Sequence, residues 1–486
     1  MSISQPIRRT GWSSIDNTVD FFSGRLRSWA AVATRATFVT RERGRTIESA
    51  SMRDDGRMRS PLPDYLTEVL SVCSEGKGAT SDHIPELKNA DPDRFAISLV
   101  TAEGVTYSVG DDDTEFSIQS ISKPFVYGLA LEERGFERVL DAIGVEPSGE
   151  AFNEISLQRD TGRPLNPMIN AGALTAHALV GENKTPEYRI RAIRDLLSSL
   201  AGRELEVDEG ISASELGASF RNVAIANLLR NYEIFPDDPD DIVAGYVGQC
   251  SVKVTTADLA MMAATLAGGG VQPRTGERIF SRSVVRQVLS VMATCGMYDA
   301  AGDWLSTVGI PAKSGISGGI IGILPGQLGI AVYSPRLDEH GTSVRGVEAF
   351  ERLSHDMNLH LMEAPIVSRS VLRRRAVIGE GSEAFTFLEL HGDIHFTNAE
   401  GVVRALVEEP VETQRAVFDL TLVRAVLPVG RRMLLEVIRR LHLDGIDVAL
   451  VDPEEVLSDP DAGDGYRPRV FTTLDELRDE SAGSSE

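Results

Sequence analysis

The order of strand-like and helix-like stretches between Pro61 and Met362 is what most restricts the folds open to this chain. Phe95 to Val100 and Val105 to Val109 read as two strands around the turn Glu103-Gly104, a hairpin signal. Gly318 to Tyr333 returns to strand-like apolar runs, interrupted at Pro325-Gly326. Helical patterns fill the interval. Ile121 to Leu131 reads as helix, with Pro124 tolerated because it falls in the first turn. Thr256 to Leu266 reads as another, closed by Gly268-Gly269-Gly270. Strands at both ends of a helical run predict an α/β domain, 61–362, whose sheet joins its two terminal segments and is flanked by a helical insertion.

A second, smaller α/β pattern follows an expected linker, 363–374. Phe385 to Leu390, Ala416 to Leu420 and Asp447 to Val451 read as strands, with amphipathic helices at Asn398 to Leu406 and Arg431 to Leu441. This predicts a domain over 375–480 and a frayed tail over 481–486. Residues 1–60 stand apart: eleven arginines against six acids make a basic, partly disordered arm on a chain whose net charge is −23.

That overall acidity argues against nucleic-acid binding, which needs a basic surface. Cys73, Cys250 and Cys295 form no CxxC pair, so neither a zinc site nor a disulfide framework is expected; they fit buried positions in a reducing compartment. No apolar stretch has the length of a membrane span and no export signal is legible, which predicts a cytoplasmic protein without membrane association.

Lysine usage points to chemistry. Only six lysines accompany 43 arginines, and two of the six stand in Ser120-Ile121-Ser122-Lys123 and Lys313-Ser314-Gly315. Arginine stays protonated in proteins, whereas a desolvated lysine can lose its proton near neutrality. Ser-x-x-Lys at a helix start puts Ser120 and Lys123 one turn apart, so that the amine can take the hydroxyl proton. Ser74 and Lys77 have the same spacing within a polar, glycine-containing loop and are read as a decoy. Lys-Ser-Gly is similar to the Lys-Thr-Gly of penicillin-recognising enzymes, where a strand edge brings an amine and a backbone N–H beside an acyl group. Both motifs suit several serine hydrolases, a penicillin-binding or β-lactamase-type enzyme among them.

Between the motifs lie Asn166 to Ala173, Glu215 and Asn222, Tyr246 with Gln249-Cys250-Ser251, and Tyr298-Asp299. Taken singly, each is as readily a cap, a turn or a surface group. Together with Ile84-Pro85-Glu86-Leu87, Gln119 to Pro124, Met262 to Ala267 and Pro311 to Gly315, they resemble the glutaminase family of the β-lactamase/DD-peptidase-like fold, over roughly 63–362. That fold is an antiparallel sheet with a helical insertion.

The resemblance implies hydrolysis of L-glutamine to L-glutamate and ammonia with no cofactor or metal. Ser120 would be the nucleophile and Lys123 its proton acceptor. Tyr246, Tyr298 and Lys313 would surround the chemistry. Ser120, Asn170, Glu215, Asn222, Tyr246, Tyr298 and Ile316 would contact substrate, Ile316 through its backbone N–H. Glu215 suits the ammonium of free glutamine, and the N–H groups of Ser120 and Ile316 suit an oxyanion hole. Where the family carries a tyrosine before Ile-Pro, this chain has His83.

Residues 375–480 resemble a STAS domain through Asp419 to Val426 leading to Gly430, with Leu427-Pro428-Val429-Gly430 where phosphorylated members carry a serine. This implies docking or ligand sensing without a phosphorylation switch. Analogy implies a homo-oligomer, dimer or tetramer, and a protein or small-ligand partner for the STAS-like domain. A catalytically inactive STAS scaffold is the competing reading from outside the enzymes.

Overall fold

The computed structural model describes residue 60 and residues 62–483 apart from 150–153, 183, 364–370, 395 and 464. The basic arm thus lies outside the described residues except for Ser60.

The two bracketing strand regions meet in one sheet. Strands β1 (Ala96–Thr101) and β2 (Thr106–Gly110) form the hairpin; β3 (Phe116–Ser117) pairs with β4 (Lys253–Val254); β5 (Ala312–Ser314), β6 (Gly319–Leu324) and β7 (Leu328–Tyr333) follow. The main sheet has the order β2-β1-β7-β6-β5 and is antiparallel throughout. Its central seam joins the ends of the domain in the register Ala96↔Tyr333 to Thr101↔Leu328.

Alternation along these strands covers both faces. Ile97, Leu99, Ile330 and Val332 pack with Leu66 and Val69 of helix Leu62–Val72 and with Phe350 and Leu353 of helix Val344–Met357. Val100, Ile321, Ile323 and Ala331 turn the other way, into a core shared with helix Thr256–Ala267. Each Val, Leu, Ile or Phe side chain among these contributes about 1.5–3 kcal/mol by leaving water. Gly329 lets that helix approach closely, because a Cβ there would stand 2.3 Å from the Ala264 nitrogen. Helix Thr256–Ala267 starts with a capping box between Thr255 and Asp258.

The helical insertion has its own core. Ala173, Leu174 and Ala178 of helix Asn170–Leu179 pack with Ile225 and Leu229 of helix Phe220–Asn231 and with Val243 and Val247 of helix Pro239–Cys250.

The C-terminal region forms a second five-stranded sheet from β8 (Leu372–Ile378), β9 (Phe385–Ile394), β10 (Arg415–Val426), β11 (Asp447–Val451) and β12 (Arg469–Phe471), in the order β12-β11-β10-β9-β8. The last four run parallel, joined by crossovers that include helices Phe396–Glu408 and Pro428–Leu443; β8 is antiparallel to β9. Leu388, Leu390, Phe418 and Leu450 bury one face, Phe385, Phe387, Val417 and Val451 the other.

Two boundaries differ from the sequence reading. Leu372, Arg373 and Arg374, expected in the linker, already belong to β8, an edge strand whose charged residues discourage pairing with another chain. Residues 481–483, expected in the frayed tail, continue the helix Leu474–Gly483.

Candidate functional site

The Ser120 segment is shaped before the helix begins. β3 is held by β4, and the Ile118 N–H donates to the Val252 carbonyl at 2.8 Å. Gln119 then adopts φ = 50°, a left-handed conformation, and Gln119–Ser122 forms a 3₁₀ turn leading directly into helix Lys123–Ala142. Such a residue costs on the order of 1–3 kcal/mol and persists where its surroundings hold it. Ile118 and Ile121 are fully buried on either side. The Ser122 hydroxyl donates to the Gln119 carbonyl at 2.8 Å and receives the Gln249 amide at 3.0 Å. Gln249 Oε1 in turn meets His177 Nδ1 at 3.0 Å; burial lowers that imidazole to about 3, so it is neutral and Nδ1 is the donor.

Both lysines of the sequence motifs are buried. Lys123 Nζ donates to the Met168 carbonyl at 3.1 Å and to Asn170 Oδ1 at 2.8 Å. Desolvation brings its pKa down to about 7. Lys313 Nζ donates to the Ser314 carbonyl at 2.6 Å, and burial together with the charge of Lys123 pushes its pKa well down. The Tyr298 ring serves both amines, its centroid 3.9 Å from Lys313 Nζ and 5.5 Å from Lys123 Nζ. Tyr298 also has positive φ, 55°, and its side chain hydrogen-bonds with Ser120, while burial raises its pKa. By contrast Ser74 and Lys77 are exposed, and the Ser74 hydroxyl is spent on the Ser71 carbonyl at 2.8 Å.

In front of Ser120 lies a cavity of about 250 Å³ lined by His83, Ser120, Asn170, Glu215, Asn222, Tyr246 and Ile316, with Cys250 and Arg221 at its walls. Asn170 Nδ2 donates to Asn222 Oδ1 at 2.9 Å, so one amide spans the distance between the buried lysine and the second amide. Glu215 is buried; its Oε1 meets His83 Nε2 at 3.0 Å, and its Oε2 has no hydrogen-bond partner among the described residues. Tyr246 is buried and hydrogen-bonds with Cys250, and desolvation raises both pKa values, the thiol to about 12. A serine hydroxyl, paired amides and a buried carboxylate thus line a space of amino-acid size, with an amine of lowered pKa hydrogen-bonded to one of the amides.

The family model for glutaminase matches residues 78–362, which span all of these groups. The chain belongs to the glutaminase family. A glutaminase of Corynebacterium efficiens is 49% identical over 419 residues, 86% of this chain and 98% of that protein. Glutaminase 2 of Bradyrhizobium diazoefficiens is 42% identical, covering 86% of this chain and 70% of its own length. Among solved structures, that of Mglu superposes with a TM-score of 0.75 at 48% identity, covering 82% of this chain and all of its own. The probable glutaminase ybaS reaches a TM-score of 0.61 at 36% identity over 62% of this chain. Likeness to the first three extends beyond 78–362; to ybaS it covers a share close to that span. This family assignment decides between the hydrolases that share the two lysine motifs.

The nine residues to which the resemblance assigns a role gather in this glutaminase around the cavity or behind it, with Lys123, Lys313 and Tyr298 behind and the rest lining it; His83 lines it as well. Sequence reasoning missed the support: the Met168 carbonyl, the strained Gln119, and the relay from His177 through Gln249 to Ser122. Gln249 sat inside a quoted family stretch, but nothing local says that its amide reaches back to Ser122. Cys250, read as a small buried hydrophobe, is buried and also lines the site. Among the described residues no helix is long and apolar enough to cross a membrane.

Proposed function

We propose that this glutaminase cleaves the side-chain amide of L-glutamine by way of a glutamyl-serine ester. The Ser120 oxygen attacks the amide carbon as its proton passes to neutral Lys123. The N–H groups of Ser120 and Ile316 hold the oxyanion. As the tetrahedral intermediate collapses, the C–N bond breaks and the nitrogen takes the proton back, leaving as ammonia. Water then attacks the ester, its proton following the same route, and L-glutamate departs. Glu215 receives the α-ammonium; Asn170, Asn222 and Tyr246 receive the α-carboxylate. Tyr298, bonded to Ser120 and flanked by both lysines, orders the proton's path, and Lys313 fixes its ring.

One observation carries this reading: a single small cavity joins Ser120, backed by a buried lysine with a pKa of about 7, to a buried carboxylate with an unpartnered oxygen. The test is ammonia release from L-glutamine and from L-asparagine by the wild type and by Ser120→Ala. Turnover with glutamine alone, lost in the variant, supports the reading; wild-type turnover by Ser120→Ala overturns the nucleophile.

For the C-terminal domain we propose a STAS-like docking or ligand-sensing role, supported by its four parallel strands and their helical crossovers. Leu427 leads into helix Pro428–Leu443, which opens Pro428-Val429-Gly430-Arg431, so its first turn offers no hydroxyl to phosphorylate. We further propose a cytoplasmic homo-oligomer, dimer or tetramer. Light scattering of the intact protein and cell fractionation test these two points, a monomer or a secreted protein counting against them.

A further inference from the structure

Glu215 faces two claimants for one negative charge. Its Oε1 is 3.0 Å from His83 Nε2, while its Oε2 is buried and has no hydrogen-bond partner among the described residues. Both side chains line the cavity that holds Ser120, His83 at 41% exposure and Glu215 at 8%. The pairing is fixed by the elements that carry it. The His83 N–H donates to Ser81 Oγ at 3.3 Å, and one turn beyond, the Ser214 hydroxyl donates to Glu86 Oε1 at 2.7 Å. That bond ties the segment bearing His83 to helix Glu209–Ala218 at the residue before Glu215.

Around a protonated His83 two cations face three acids, and one of those cations, Arg221, is itself paired with Glu154 at 2.8 Å. Its own segment supplies Asp82 and Glu86; helix Glu209–Ala218 supplies Glu215; helix Phe220–Asn231 supplies Arg221 at the cavity wall. Tyr246 and Cys250 of helix Pro239–Cys250 stay neutral, because burial raises both. In the free enzyme the hydrogen bond to Glu215 raises the imidazole above its ordinary 6.5, against an opposing effect of burial. Bringing an ammonium to the other oxygen of the same buried carboxylate adds a second cation beside the imidazolium; the two like charges repel, and they compete for one carboxylate that burial shields from water.

We propose that His83 sets the substrate affinity of this enzyme by proton exchange: glutamine binding at Glu215 expels one proton from the His83 imidazolium, so affinity falls as the surroundings acidify. This rests on the reading that Glu215 holds the α-ammonium. The N–H bond of the imidazolium breaks, its proton passes to solvent, and the carboxylate exchanges one cation for another with no net change of charge in the pocket. A neutral donor at position 83 would hold Glu215 without this exchange.

Calorimetric titration of Ser120→Ala with L-glutamine, in two buffers of different ionisation enthalpy, counts the protons released. Near pH 6.5 His83 should contribute more than half a proton to the count, and the count should fall by that amount in Ser120→Ala/His83→Gln; any proton lost from Lys123 appears equally in both proteins. In the otherwise wild-type enzyme, 1/KM should fall by up to tenfold per pH unit below the His83 pKa, and that slope should vanish in His83→Tyr, which keeps a donor, while the acid limb of kcat stays. Equal proton counts with and without His83, or an unchanged KM slope in His83→Tyr, overturns the proposal. Ser120→Ala/Glu215→Gln separates the two readings. Its loss of glutamine binding upholds Glu215 as the ammonium site whatever His83 does, whereas undiminished binding overturns that site and the exchange with it.

Discussion

Asn170 Oδ1 accepts the ammonium of Lys123 at 2.8 Å while its own amide donates to Asn222 Oδ1 at 2.9 Å. The proposed base and the amides proposed to bind substrate therefore share one side chain, and a substrate that displaces either amide also adjusts the hydrogen bonds of Lys123. Lys123 is otherwise buried against a carbonyl, and among the described residues no carboxylate is hydrogen-bonded to it, which is why desolvation dominates and its pKa comes down to about 7.

The sign of the resulting pH dependence follows. The amine is neutral and able to accept a proton above about pH 7, and it is protonated progressively below. We expect kcat to fall by about tenfold per pH unit below that point. Lys123→Met should lose about 10²–10⁴-fold in kcat and lose this acid limb. Steady-state ammonia release across pH 5–9 checks both; an acid limb unchanged in the residual activity of Lys123→Met would assign it to another group.

Asn170→Asp tests the desolvation argument itself. A carboxylate placed at hydrogen-bonding distance from Lys123 favours the charged amine, so the acid limb of kcat should move upward by about 1–3 pH units. Activity at pH 7 should drop and partly recover at higher pH. Recovery separates this effect from simple damage to substrate binding, which raises KM at every pH.

Tyr298→Phe removes the hydroxyl bonded to Ser120 but leaves the ring whose face meets Lys313 at 3.9 Å from its centroid. We expect kcat to fall by about 10²–10⁴-fold with stability nearly unchanged. Tyr298→Ala should in addition lower the melting temperature, because it exposes two desolvated amines. Equal kcat in wild type and Tyr298→Phe would reduce the tyrosine to a packing role.

How far the sequence reaches depends on how local the cause is. The hairpin at Glu103-Gly104, the break at Pro325-Gly326 and the one-turn spacing of Ser120 and Lys123 are set within a few residues, and each has its counterpart in the structure. The terminal-strand sheet was also legible, because apolar strand patterns occur at both ends of the domain. The register Ala96↔Tyr333 was not, since pairing so far apart in the chain is chosen by packing on both faces. The site divides in the same way. The family resemblance singles out Glu215, which lines the cavity, but its contact with His83 depends on how two distant segments are tied at Ser214 and Glu86. The positive φ of Gln119 left no local trace, as glutamine has no preference for that conformation; its carbonyl meets a buried partner, the Ser122 hydroxyl, that is itself bonded to the distant Gln249.

Two glycines separate the stability of the domain from the placement of its base. A Cβ at Gly172 would stand 1.9 Å from the Asn166 carbonyl oxygen, and one at Gly329 would stand 2.3 Å from the Ala264 nitrogen. Both obstacles are backbone, so alanine at either site must move an element, at a cost of about 1–3 kcal/mol. The elements differ in what they carry. Asn166 Oδ1 accepts from the Met168 N–H at 3.0 Å, and the Met168 carbonyl holds Lys123, so displacement at Gly172 reaches the base directly. Gly329 lies on β7 against helix Thr256–Ala267, and neither element lines the cavity. Gly172→Ala and Gly329→Ala should therefore show similar losses in denaturant unfolding, while only Gly172→Ala lowers kcat by more than about tenfold under conditions where both remain folded. Equal kcat in the two variants would mean that the Met168 carbonyl does not position Lys123, and that burial alone holds the amine in place.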